Sequence, residues 1–316
     1  CSAALVAGTW ILLRQTGVAT SLVRDALTSV LAGSFGLDSA EIDLPRGLVT
    51  VSRFHLADPR GGQAPLLTAS DVVVSLNTNP LGTLGEVHRV VIRGLRIEDL
   101  RVTGPNALRL PDLLRGGLAP RPTIGCPEIV IEDAIVGVRF SETSPPLRFE
   151  NVDLELLPDS VGGTGLVLSG AMTTPIGTRV LVSGQADLAT GAFRVMAKAK
   201  DLEISRRAVE PFSLAAAAQL EAAGVRGRVP TAQLWFEHDG KGGAPQGGFL
   251  AELTEVAFSA AQLPRPVEHL AGRITGRLQD EGSVTLLLET TTRDATAGGE
   301  RIGLSGTLRT LFGATP

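Results

Sequence analysis

Tyrosine is missing altogether, aromatic residues make up only 4% of the 316 positions, and there are just two cysteines, Cys1 and Cys126. Two cysteines exclude a disulfide framework or a four-cysteine zinc site built from this chain, and they leave the redox compartment open. With so few rings, valine, leucine and isoleucine must supply the packing. Clustered positive charge is also lacking. The formal net charge is -4, and no dense lysine or arginine run could neutralise a series of phosphates, so nucleic-acid binding is not expected.

Motifs for chemistry are equally sparse. His55, His88, His238 and His269 are scattered, and none has a second histidine or cysteine at metal-pair spacing. Gly240-Lys241 lacks both the upstream glycine and the following serine or threonine of a phosphate loop, and reads as a tether. Ser169, Ser183 and Ser305 precede glycines without the Gly-x-Ser-x-Gly frame of a nucleophile elbow. The acids Glu132-Asp133 and Asp280-Glu281 read as solvated strand ends or turns. Arg206-Arg207 could touch lipid headgroups, but a solvated helix start is the plainer reading. No catalytic residue, metal or cofactor is expected, and the protein reads as a non-enzyme.

Nor is there a full-length membrane-spanning run. Cys1 to Leu13 (CSAALVAGTWILL) is apolar and uncharged up to Arg14, with Trp10 near the boundary, but a bilayer needs roughly 20 helical residues. The segment reads as the tail of a truncated anchor. A signal-peptide core or a lipidated Cys1 are the competing readings, and each places the remainder outside the cytoplasm.

What the sequence does have is alternation, with 37 glycines and 19 prolines to punctuate it. Thr20 to Ala32 shows helical spacing at Leu22, Val23, Ala26, Leu27, Val30 and Leu31, with Gly33 as terminator. From there the period changes to two. Val72, Val74 and Leu76 fall on one face of Asp71–Leu76, and Val152, Leu154 and Leu156 oppose Asp153 and Glu155. Phe193, Val195, Ala197 and Ala199 oppose Arg194, Lys198 and Lys200, and the division recurs at Ile129 and Ile131. An apolar-x-apolar-Ser-Gly motif marks Leu166–Gly170, Val180–Gly184 and Ile302–Gly306. Turns at Pro175–Gly177 and Ala189–Gly191 join the first two copies and the next strand into an antiparallel meander. Pro211 to Ala223 is alanine-rich and predicts a second helix, while Asp239 to Gly248 reads as a flexible loop.

About a dozen strands with one apolar face each, and only one or two helices, pose a covering problem. Either the sheet closes as a sandwich or barrel, or it stays an open trough filled by a ligand. A mean hydropathy of +0.21 favours the trough. Its small aliphatic lining suits sliding fatty chains, at roughly 0.8 kcal/mol per buried CH₂.

The order of segments carries a resemblance. Phe35 to Leu76 (FGLDSAEIDLPRGLVTVSRFHLADPRGGQAPLLTASDVVVSL) leads into Val87 to Pro105 (VHRVVIRGLRIEDLRVTGP). LRLPDLL (Leu108 to Leu114), EIVIEDAIVGVRF (Glu128 to Phe140) and LRFENVDLELL (Leu147 to Leu157) follow. This order resembles the N-terminal part of the AsmA-like family of envelope proteins over about two thirds of the chain, weakening after Val209. The resemblance implies an elongated β-groove that moves or organises phospholipid between two membranes. It also implies a single-pass inner-membrane anchor, the bulk in the periplasm, possible envelope-protein partners, and a role in lipid transport or outer-membrane assembly. At 316 residues the groove is too short to cross a periplasm alone, so the chain is expected to be incomplete or to work with partners.

The fold expected is therefore mainly β: an elongated, twisted antiparallel sheet forming an open groove, with an N-terminal amphipathic helix and few others. Residues 1–14 are the anchor tail, 15–36 the helix, 37–209 the groove, 210–224 a helix and 225–316 the groove's continuation. The lining expected is Val72, Val74, Leu76, Ile129, Ile131, Val152, Leu154, Leu156, Leu166, Leu168, Val180, Val182, Phe193 and Val195. The rivals are a closed-sandwich scaffold that binds a protein and no lipid, and a hidden hydrolase.

Overall fold

The structure, a computed structural model, describes residues 16–31, 34–43, 45–57, 65–78, 84–101, 127–139, 145–160, 163–175, 177–187, 189–210, 214–240, 246–259, 265–278, 284–297 and 300–312. The expected anchor tail, Gly33, the turn at Leu108–Leu114 and Cys126 lie outside them. The protein is mainly β, built on a large mixed sheet with few helices.

The chain divides into two compact units, Cys1–Val138 with Arg148–Val167, and Arg139–Leu147 with Leu168–Pro316. The first begins with helix α1 (Thr16–Val30). Strands β1 (Phe35–Gly36), β2 (Ser39–Asp43), β3 (Leu48–Ala57), β4 (Pro65–Thr78), β5 (Leu84–Arg93) and β6 (Arg96–Arg101) follow. After β7 (Glu128–Arg139) and β8 (Leu147–Pro158) the chain enters β9 (Gly165–Thr173), inside which the division falls. The second unit continues through β10 (Arg179–Asp187), β11 (Ala192–Ile204), the short helices α2 (Arg206–Val209) and α3 (Leu214–Ala222), β12 (Arg226–His238), β13 (Gln246–Phe258), β14 (Val267–Leu278), β15 (Val284–Ala297) and β16 (Glu300–Phe312).

From β10 to β16 each strand pairs antiparallel with the next, a meander of local hairpins that needs only short turns. The first unit departs from the all-antiparallel expectation. β5 runs parallel to β7, with Val90 opposite Ile129 and Ile92 opposite Ile131. The connection from Arg101 to Glu128 is long enough to return the chain to the starting end, as a parallel pair requires. Boundaries also move: Phe35–Gly36, expected within the helical segment 15–36, form β1 and pair with β3. The alanine-rich helix is described over Leu214–Ala222, with the expected start at Pro211 outside the described residues, and Gln246–Gly248, expected in a loop, opens β13.

One feature of the strands breaks simple alternation. Arg53, Asp133, Asn151, Asp201, Glu255 and His269 all have φ between 47° and 55°, a left-handed conformation that side chains other than glycine's rarely adopt. Each lies within a strand, and each is exposed. At Arg53 the β3–β4 ladder skips a pair, so Val51 and Phe54, three apart, both join the apolar cluster on one face. Leu253 with Val256 and Val267 with Leu270 repeat that spacing around Glu255 and His269. Asp201 stands opposite Pro230, which has no N–H to give, and the ladder resumes at Leu202. From β12 to β16 each pair has a register shift at about one level, between Arg228 and Thr231, Leu253 and Val256, Glu268 and Gly272, and Thr292 and Ala295, with further shifts at Arg226–Arg228 and Val256–Phe258. A transverse line of such irregularities increases local twist and bends the strands.

The core of the second unit gathers at this line. Val229, Leu253, Val256, Val267 and Leu270 are buried, with Leu202, Ile204, Ala232, Ala251, Phe258 and Ile274 packed against them. All belong to four consecutive strands, β11 to β14, so side chains on one face of a bent sheet cover one another. In the first unit α1 does the covering: Val23 and Leu27 pack with Leu37, Ala40, Val51, Val49 and Val72.

Candidate apolar binding surface

Register assembles apolar rows that sequence could only suggest. In the second unit one row runs Val182, Ala197, Leu234, Phe249 and Gly276, and the row beside it runs Gly184, Val195, Phe236 and Gly247. Val180, Ala199, Ala232, Ala251 and Ile274 form the row nearest the core. Phe193 ends the face opposite His238, with ring centroids 5.9 Å apart. Five strands at about 4.8 Å spacing give a floor roughly 19 Å wide. That is comparable to the ~15 Å that one acyl chain covers in half of a ~30 Å hydrocarbon core.

The floor is smooth for a specific reason. Phe236 lies over Gly247, where an added Cβ would meet its ring at 2.7 Å, and Phe249 lies over Gly276 in the same way. A side chain at either glycine would push the ring off the sheet. Near the core the face is buried, but farther along it is open: Leu234 is 41% and Phe236 37% exposed. Neither was expected from sequence, because Leu234-Trp235-Phe236 is a continuous apolar run without alternation. Trp235 takes the other face and rests on Gly248.

That other face is mixed: Leu181, 52% exposed, stands opposite Lys198, and charged pairs lie on the same side. Arg194 and Glu237 are register partners 3.6 Å apart, and Arg273 and Glu252 are partners at 3.9 Å. In the first unit Arg93 pairs with Glu132 at 2.7 Å and Arg89 with Glu128 at 3.2 Å, again directly across the ladder. Such partly exposed pairs contribute little stability, about 0–1 kcal/mol each, and in the first unit they flank the buried Val91 on the same face.

The expected lining residues fall into groups. Val180, Val182, Phe193 and Val195 share the face just described. In the first unit Val72 and Ile131 belong to a row with Val51 and Ile92, while Val74 and Ile129 belong to one with Val49 and Val90. Val72 also packs into the cluster beneath α1. Leu76 continues the β4 side past a register shift, opposite Val87. In β8, Val152 is buried and Leu154 and Leu156 half-buried, alternating with exposed neighbours. In β9 the same alternation sets Leu166 and Leu168 apart from exposed Val167 and Ser169.

The expectation of one wet face fails for Asp71–Leu76. Val73 on its second face is half-buried and sits opposite buried Val91, which sits opposite Val130.

Among the described residues no helix is long and apolar enough to cross a membrane, and no group of three or more His, Cys, Asp or Glu side chains could hold a metal. Set against protein-family models, curated proteins and solved structures, the chain matches none.

Proposed function

We propose that the protein is a membrane-anchored envelope protein that binds or conducts phospholipid acyl chains along its apolar sheet face, in support of lipid transport or outer-membrane assembly. The observation that carries this reading is the open stretch around Leu234 and Phe236, large apolar side chains left 41% and 37% exposed in the middle of an apolar face. Monomeric soluble proteins seldom leave such a patch without a use. The rows offer dispersion contact without directional hydrogen bonds, so a fatty chain gains roughly 0.8 kcal/mol per buried CH₂ and is free to slide. Charged headgroups would stay outside, in water. The resemblance to AsmA-like envelope proteins, the apolar run at Cys1–Leu13, an inner-membrane anchor and a periplasmic location belong to the same proposal.

Native mass spectrometry with lipid extraction tests it. The purified protein should carry phospholipid, and Leu234→Asp should remove it while circular dichroism still reports a β-sheet. Leu154→Asp, on the half-buried side of β8, should act likewise. Protein that folds and carries no lipid in any preparation would refute the reading and favour a scaffold whose face meets another protein.

A further inference from the structure

We propose that the first two turns of α1 lie in the boundary layer of a lipid bilayer, with Val18 and Leu22 seated below the headgroups. This rests on the membrane anchoring proposed above. The helix has two apolar sides with different fates. On one, Ala19 is fully buried, Val23 and Leu27 pack on the β2–β3 cluster, and the Ala40 N–H donates to Thr20 Oγ1 at 3.0 Å. The other side carries Val18 and Leu22, one turn apart and 38% and 50% exposed. At helical spacing that stripe continues into exposed Asp25, so it ends after two turns.

The exposed stripe therefore sits only at the helix's N-terminal end. Immediately before it in the chain comes the apolar run Cys1–Leu13, and then Arg14. With α1 beginning at Thr16, the two exposed side chains are held within a few residues of whatever that run enters. The first turn holds no acidic residue, so the positive end of the helix dipole meets anionic phosphates without repulsion from its own turn. A second copy of the chain, or the apolar run folded back on the helix, are the other possible occupants, and each leaves a different signature.

The test uses the full chain in phospholipid liposomes. Cys1 and Cys126 are replaced by serine, and an environment-sensitive fluorophore is attached to Val18→Cys, Leu22→Cys, Arg24→Cys or Thr28→Cys. Labels at 18 and 22 should emit to the blue and be quenched several-fold more by lipids carrying a quencher just below the headgroup than labels at 24 and 28. Equal access of aqueous iodide to positions 22 and 24, in protein that floats with the liposomes, overturns the seat and leaves the anchoring intact. Protection at 22 that persists in detergent without lipid quenching points to a protein occupant and also overturns it. Protein that fails to float refutes the anchoring first.

Discussion

Leu253 and Leu234 lie on the same apolar face of adjacent strands, and truncating each to alanine separates folding from binding. Leu253 is 6% exposed inside the cluster with Val229, Val256, Val267 and Leu270. Its loss leaves a cavity that the bent sheet can close only in part, and should cost about 2–5 kcal/mol. Leu234 is already 41% exposed, so little more than half of its transfer free energy is at stake and no sealed cavity forms. Its truncation should cost about 1 kcal/mol. Urea unfolding followed by far-ultraviolet circular dichroism measures both, and it avoids Trp235, whose fluorescence adjoins the change. Lipid content, measured on the same samples, should move the other way: retained in folded Leu253→Ala and reduced in Leu234→Ala. Equal destabilisation by the two substitutions would mean that Leu234 is sealed in a core, and would refute an open face.

Three further outcomes follow from the geometry. Glu255 has φ 54° and makes only a 3.9 Å exposed contact with Arg228, so Glu255→Gly should raise unfolding free energy by about 0.5–1 kcal/mol, and Glu255→Val should lower it by more. A drop in the urea midpoint for the glycine variant would show that the left-handed conformation is not what costs energy there. Gly276→Ala should cost about 1–3 kcal/mol by displacing the Phe249 ring, and adding Phe249→Leu should recover part of that loss; strict additivity in the double-mutant cycle would refute the ring-on-glycine contact. Thr20→Val removes the acceptor for the Ala40 N–H and should cost about 1–3 kcal/mol, with faster hydrogen exchange at that amide as the check.

Much of the sheet was legible because alternation is a local signal. Val180 and Val182 alternate with exposed Arg179, Leu181 and Ser183 in the structure, and Phe193 and Val195 flank exposed Arg194, as their period of two predicts. The turns at Pro175–Gly177 and Ala189–Gly191 announced themselves through proline and glycine chemistry. The left-handed interruptions did not. Asp201, Glu255 and His269 look like ordinary polar strand positions, and only the spacing of three between Leu253 and Val256, or Val267 and Leu270, hints that the pleat is broken.

The parallel β5–β7 pair was hidden because strand direction depends on where a long connection returns, which no local pattern records. The open part of the face was missed for two reasons. Leu234-Trp235-Phe236 has no alternation to read, and Gly247 and Gly248, taken as loop residues, in fact seat aromatic rings from the neighbouring strand.

The central claim is that fatty chains occupy the face of Leu234 and Phe236 and not the opposite face that carries Lys198. A photo-activatable phenylalanine analogue placed at Phe236, and separately at Lys198 on the opposite face, measures this in protein embedded in liposomes with phospholipid bearing radioactive phosphate. Labelled lipid should attach at position 236 and not at 198. Attachment at neither position, or equally at both, would contradict the account.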